Sequence, residues 1–170
     1  MNIKLGVFAP DFLFIKKMDK LKYSPHFLEL RFGDLSLLTP QQIKRINSVS
    51  QNCEVYISTP IAMSLKLLNQ PHHDDWHTLN EYKILLSAGG FILKTSQDKY
   101  EFKDISNSSS KLKLNQKSYK RIWGKHPTRW VRRYNSDQIK QETKNFKGYL
   151  SLAYSGRHEQ WDDWAQFVYL

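Results

Sequence analysis

A single cysteine, Cys53, occurs in the whole chain of 170 residues, so no intramolecular disulfide can staple it. That usage suits a reducing compartment and leaves no thiolate set for a zinc site. Glu54 beside it would raise the thiol pKa, which makes Cys53 a poor nucleophile. Long apolar runs are missing as well. The start, MNIKLGVFAPDFLFIKK, is broken by Pro10 and Asp11 and lacks the small-residue cleavage site of a signal peptide. A cytoplasmic protein without a membrane span is expected. Gly6 and the Gly89-Gly90 pair fall within neither GxxxxGK[ST] nor GxGxxG, and no serine has a GxSxG context. Nucleotide-driven, dinucleotide and serine-hydrolase chemistry are disfavoured on that ground.

The most informative absence is local. KLKLNQKSYKRIWGKHPTRWVRRY, residues 111–134, contains no Asp or Glu against nine Lys or Arg. The formal charge of the chain is +10, so most of its excess lies in this one segment. A solvated face normally mixes signs; nine like charges repel one another unless something answers them. Glu159, Asp162 and Asp163 near the end of the chain could answer only part. Aromatics are threaded through the run. Alternation along TRWVRRYN places Trp130, Arg132 and Tyr134 on one strand face, where rings stack on bases and guanidinium groups grip phosphate. KLKL reads as a strand showing Lys111 and Lys113 together, and SYKRIWGKHP as a loop or short helix between the two strands. The expected nucleic-acid surface is Lys111, Lys113, Lys117, Lys120, Arg121, Trp123, Lys125, Arg129, Trp130, Arg132, Arg133 and Tyr134. RNA or single-stranded DNA is the favoured partner; an acidic protein docked on the same face is an alternative of a different class.

What is present elsewhere describes a fold. The chain is 40% hydrophobic and 14% aromatic, enough for one packed domain over residues 1–170. IKLGVFA (3–9), HFLELRF (26–32) and EVYIS (54–58) read as strands. DFLFIKKMDKL carries helical spacing, and TPQQIKRI opens a helix with Thr39 as cap, Pro40 at its first position and Gln42 completing a capping box. Thr59-Pro60 repeats the signal before IAMSLKLL. Thr78 and Glu81 suggest a further capping box, opening a helix that Gly89-Gly90 would close. FILKT and KYEFKDI read as a hairpin around Ser96, Gln97 and Asp98. A helix over QIKQETKNF, ended by Gly148, precedes the strand YLSLAY, and HEQWDDWAQFVYL carries a last helical face. The expected class is α/β or α+β: capped helices alternating with strands of a mixed sheet, and a basic strand-loop-strand insertion. The parallel between TPQQIK…CEVYIS and NSDQIK…GYLSLAY admits a duplication or merely a shared capping grammar.

Two candidate chemical sites remain. PHHDDWH offers His73, Asp75 and His77 as a metal set, His73 and His77 at helical ligand spacing. Glu101-Phe102-Lys103 forms a Glu-x-Lys on a hairpin strand, preceded by Glu81 on a helix. This strand resembles the active-site strand of the PD-(D/E)xK nucleases. The resemblance implies carboxylates, Glu101 with Asp98 and Glu81, holding Mg²⁺ while Lys103 assists an attacking water. Where that family places its aspartate, position 91 is Phe. The enzyme alternative is therefore a small Mg²⁺-dependent nuclease; the binding module needs no cofactor. His126, a histidine among cations, is a minor general-base candidate.

Overall fold

The computed structural model describes residues 3–21, 24–70, 72–96, 100–103, 119–122, 125–128, 131–133 and 136–153. Its centre is a seven-stranded sheet. β1 (Ile3–Phe8), β2 (Phe27–Arg31), β3 (Glu54–Thr59) and β4 (Gly90–Lys94) lie side by side in chain order and parallel. On the other side of β1, the late strand β9 (Gly148–Ala153) is parallel to it, and β6 (Tyr119–Ile122) is parallel to β9. β5 (Tyr100–Lys103) adds to β4 antiparallel, giving the order β5-β4-β3-β2-β1-β9-β6. This is a single compact α/β unit. The sheet curls strongly, because its two edges meet: the rings of Tyr100 on β5 and Tyr119 on β6 are 4.9 Å apart. A twisted sheet of this width tends towards closure, and closure creates an inside.

The helices cover the outside. α1 (Phe12–Lys17) begins at Asp11, whose carboxylate accepts from the Phe14 amide at 2.7 Å, and a 3-10 turn at Met18–Lys20 ends that connection. α2 is the short Phe32–Leu35, and α3 (Pro40–Val49) carries the complete Thr39/Gln42 capping box. α4 (Ile61–Asn69) follows Pro60, while Thr59 still belongs to β3 and its hydroxyl pairs with Ser64 at 2.7 Å. α5 (Asp74–Leu85) starts earlier than the Thr78/Glu81 signal indicated: His73 is its cap, accepting from the Asp75 amide at 3.1 Å. Two acidic residues in the first turn favour that start through the helix dipole. α6 (Ser136–Thr143) likewise stops before Gly148, with Asn145 in the left-handed region at φ 65° and Gly148 opening β9. Leu5, Val7, Leu28, Leu30, Val55, Ile57, Phe91, Leu93, Leu150 and Leu152 alternate onto the helix side and form the main core.

The basic segment departs most from expectation. Tyr119–Ile122 is neither loop nor helix but a parallel strand of the sheet. β7 (Lys125–Thr128) and β8 (Val131–Arg133) then form a separate two-stranded antiparallel ribbon. The single strand expected over TRWVRRYN is divided between the two strands of this ribbon, since Thr128 belongs to β7 and pairs with Val131 of β8. The strand KLKL and the helix HEQWDDWAQFVYL lie outside the described residues.

Candidate functional site

Four parallel strands repeat one local pattern, aromatic-x-polar. It occurs as Phe27-Leu28-Glu29, Tyr56-Ile57-Ser58, Tyr149-Leu150-Ser151 and Tyr119-Lys120-Arg121. The middle residue of each triplet faces outward; the outer two face into the curl and so stack in tiers along the strands. Phe27, Tyr56, Tyr149 and Ile92 make the aromatic tier, with half-buried Tyr100 and Tyr119 against it. Phe27 and Tyr149 are 5.3 Å apart, and Tyr56 meets both edge-on. β1 contributes Gly6 here because the Phe27 ring occupies its side-chain space: a Cβ on Gly6 would lie 2.3 Å from that ring. The close approach permits no side chain.

Towards the carboxyl ends of the strands sits the polar tier. Glu29 is 0% exposed and the Arg121 side chain 3% exposed, and Arg121 Nη2 donates to Glu29 Oε1. The same nitrogen reaches Ser58 Oγ at 3.1 Å, while Nε donates to the Tyr119 hydroxyl at 3.1 Å. Oε2 of Glu29 accepts from Tyr119 and, at 2.7 Å, from Ser151. The guanidinium also stacks on Phe8 at 3.7 Å and Tyr100 at 4.6 Å. Burial alone would lower the Arg121 pKa; the adjacent Glu29 carboxylate reverses this and holds it above the ordinary guanidinium value. Burial, then the charge of Glu29, push the Tyr119 phenol well above its usual range, so it stays a donor. Both Glu29 oxygens are occupied. The tier joins β1, β2, β3, β5, β6 and β9 and is built to hold the curl closed.

The amino-end rim holds a second carboxylate. Glu54 Oε1 takes the Lys4 ammonium, and Oε2 accepts from Tyr56 at 2.7 Å and Tyr149 at 3.0 Å. Cys53 beside it is buried, and its thiol is pushed up to about 12 by burial and secondarily by Glu54, which leaves no thiolate.

Of the expected nucleic-acid residues, Lys120 and Arg121 have described side chains, and they cannot serve one surface. Adjacent on β6, they face opposite sides of the sheet, and Arg121 is turned inward onto Glu29. Lys125, Arg132 and Arg133 are placed by their backbone on the ribbon, with Lys125 directly opposite Arg133. Lys111, Lys113, Lys117, Trp123, Arg129, Trp130 and Tyr134 lie outside the described residues, as does Asp98. Glu101 is opposite Leu93 and Lys103 opposite Phe91 in the β4–β5 ladder. Glu81 is an exposed mid-helix residue, 3.5 Å from His77 Nδ1. His73 caps α5 and lies 3.4 Å from Asp75. Among the described residues no three His, Cys, Asp or Glu side chains come together to hold a metal ion. Nor is any helix of the described residues long and apolar enough to cross a membrane. No protein-family model matches the chain, and no curated protein or solved structure matches it.

Proposed function

We propose that the protein binds nucleic acid through its basic segment, residues 111–134, with RNA or single-stranded DNA favoured. One observation carries the reading: the ribbon register sets Lys125 directly opposite Arg133. Like charges facing each other across an antiparallel pair destabilise it, and a two-stranded ribbon has little stability to lose. An anion lying across the pair removes the repulsion, and a phosphate backbone supplies such anions in series. The placement agrees with this. β6 runs parallel to β9, so the ribbon beginning at Lys125 comes after the carboxyl end of its strand, the end at which parallel α/β sheets, open or closed, receive their ligands.

The test is the salt dependence of binding to labelled RNA and DNA oligonucleotides. If about five phosphates are neutralised on a single strand, log affinity falls with log salt at a slope of roughly −3.5. Lys125→Ala or Arg133→Ala should each make the slope shallower by about 0.7. A slope near zero for the wild-type chain would sink the reading. Mg²⁺-dependent cutting of the oligonucleotide would instead favour the nuclease.

A further inference from the structure

The basic segment turns a cation, Arg121, into the interior, and that choice needs a reason. Stability alone does not supply one, because a buried ion pair is commonly no better than apolar residues of similar volume. What such a pair does supply is a unique arrangement. β6 needs that. It is four residues long, lies at one edge of the sheet with β9 as its one ladder partner among the described residues, and has two cations in adjacent positions. A slip by one residue would bring Lys120 inward and turn Arg121 out. A compact ammonium could not reach Glu29, Ser58 and Tyr119 at once while stacking on Phe8 and Tyr100; a planar guanidinium does.

We propose that the Glu29–Arg121 pair is a positioning device for the nucleic-acid segment: it pins the register of β6 and thereby sets the ribbon that begins three residues after Ile122. Arg121 on this view is not a phosphate ligand. The inference rests on the nucleic-acid reading for its ligand, and on the geometry alone for the pin. A ribbon ordered beforehand does not have to be ordered at the moment of binding, which is where the affinity arises.

Glu29→Gln is the decisive variant, since it leaves every cation of the segment in place; Arg121→Met and a rim control, Glu54→Gln, accompany it. Affinity for a labelled single-stranded RNA is measured against salt on the full chain, at a temperature where circular dichroism shows each variant folded. Amide exchange is followed at Tyr119–Ile122 and Val131–Arg133. Glu29→Gln should weaken binding about ten-fold with an unchanged salt slope and speed exchange in both segments, as expected when preorganisation is lost. Glu54→Gln should change neither affinity nor exchange there. A steeper slope or tighter binding in Glu29→Gln would mean that Arg121 is a phosphate ligand released from storage, which overturns the proposal. Unchanged exchange in both segments overturns it equally. If wild type binds no nucleic acid, the functional reading fails by itself, and the exchange data still decide whether the pin exists. If Glu29→Gln does not fold, the double variant Glu29→Gln/Arg121→Met, which strands neither charge, carries the same comparison, with the pin refuted by exchange at the ribbon as slow as in wild type.

Discussion

Glu29 and Glu54 are the same device in two settings. Each is a strand carboxylate that takes one cation and two hydroxyl donors: Arg121, Tyr119 and Ser151 for the first, Lys4, Tyr56 and Tyr149 for the second. The aromatic tier separates them. At the rim the side chains of Lys4 and Glu54 keep 44% and 36% of their exposure, whereas those of Arg121 and Glu29 keep 3% and 0%. Water can replace a lost partner at the rim and not inside. The cations differ to match, a flexible ammonium at the rim and a stacked guanidinium within. Identical hydrogen-bond inventories therefore predict unequal consequences.

The largest effect should come from breaking the interior pair. Arg121→Met leaves Glu29 charged and sealed from water, at a cost of about 3–5 kcal/mol. Urea unfolding followed by circular dichroism measures it. Adding Glu29→Gln to Arg121→Met should recover much of that loss, because the penalty comes from the stranded charge. A purely additive double variant would show that the two residues are not coupled.

Next in size is the tier between the carboxylates. Gly6→Ala puts a methyl carbon where the Phe27 ring lies, and overpacking of this kind costs about 1–3 kcal/mol or more. Phe27→Leu in the same chain should relieve part of the clash. If Gly6→Ala is neutral, the aromatic tier is looser than its ring distances indicate.

Legibility followed the same division. The three early strands, the hairpin and the Thr39 capping box could be read because local signals, alternation and side-chain caps, decide them within a few residues. β6 could not, since SYKRIW is polar on one count and aromatic on another, and a strand at the edge of a parallel sheet is defined by partners distant in sequence. The start of α5 was missed because His73 is an uncommon cap and the Thr78/Glu81 signal more conspicuous. Of the interior site, Arg121 drew notice only as a surface cation. Glu29 passed unremarked as one polar residue in HFLELRF. The usable signal was the recurrence of aromatic-x-polar in strands that do not adjoin in sequence. It becomes meaningful once those strands are known to share one curled sheet.

The smallest predicted effect lies at the rim and has a pH signature that the interior should lack. Burial alone would raise the Glu54 pKa, but the hydrogen bond from Lys4, then those from Tyr56 and Tyr149, hold it below the ordinary carboxylate range. Lys4 is raised in turn, chiefly by its bond to Glu54. A depressed carboxylate contributes stability above its unfolded pKa, about 4.3, and loses it as pH falls through the folded value. A raised ammonium contributes below its unfolded pKa, about 10.4, and loses it as pH rises through the folded value. The pair therefore acts across the neutral range and fades at both ends. With so much of both side chains in water, Lys4→Met should cost no more than about 1 kcal/mol at neutral pH and low salt. The difference between wild type and Lys4→Met should shrink towards zero by strongly acid pH and diminish in high salt, as far as each chain remains folded enough to measure. Thermal unfolding of both proteins across that range checks the sign. A difference that persists undiminished at acid pH would mean that Lys4 acts through its ammonium over the Tyr149 ring, 5.2 Å from the centroid, rather than through Glu54.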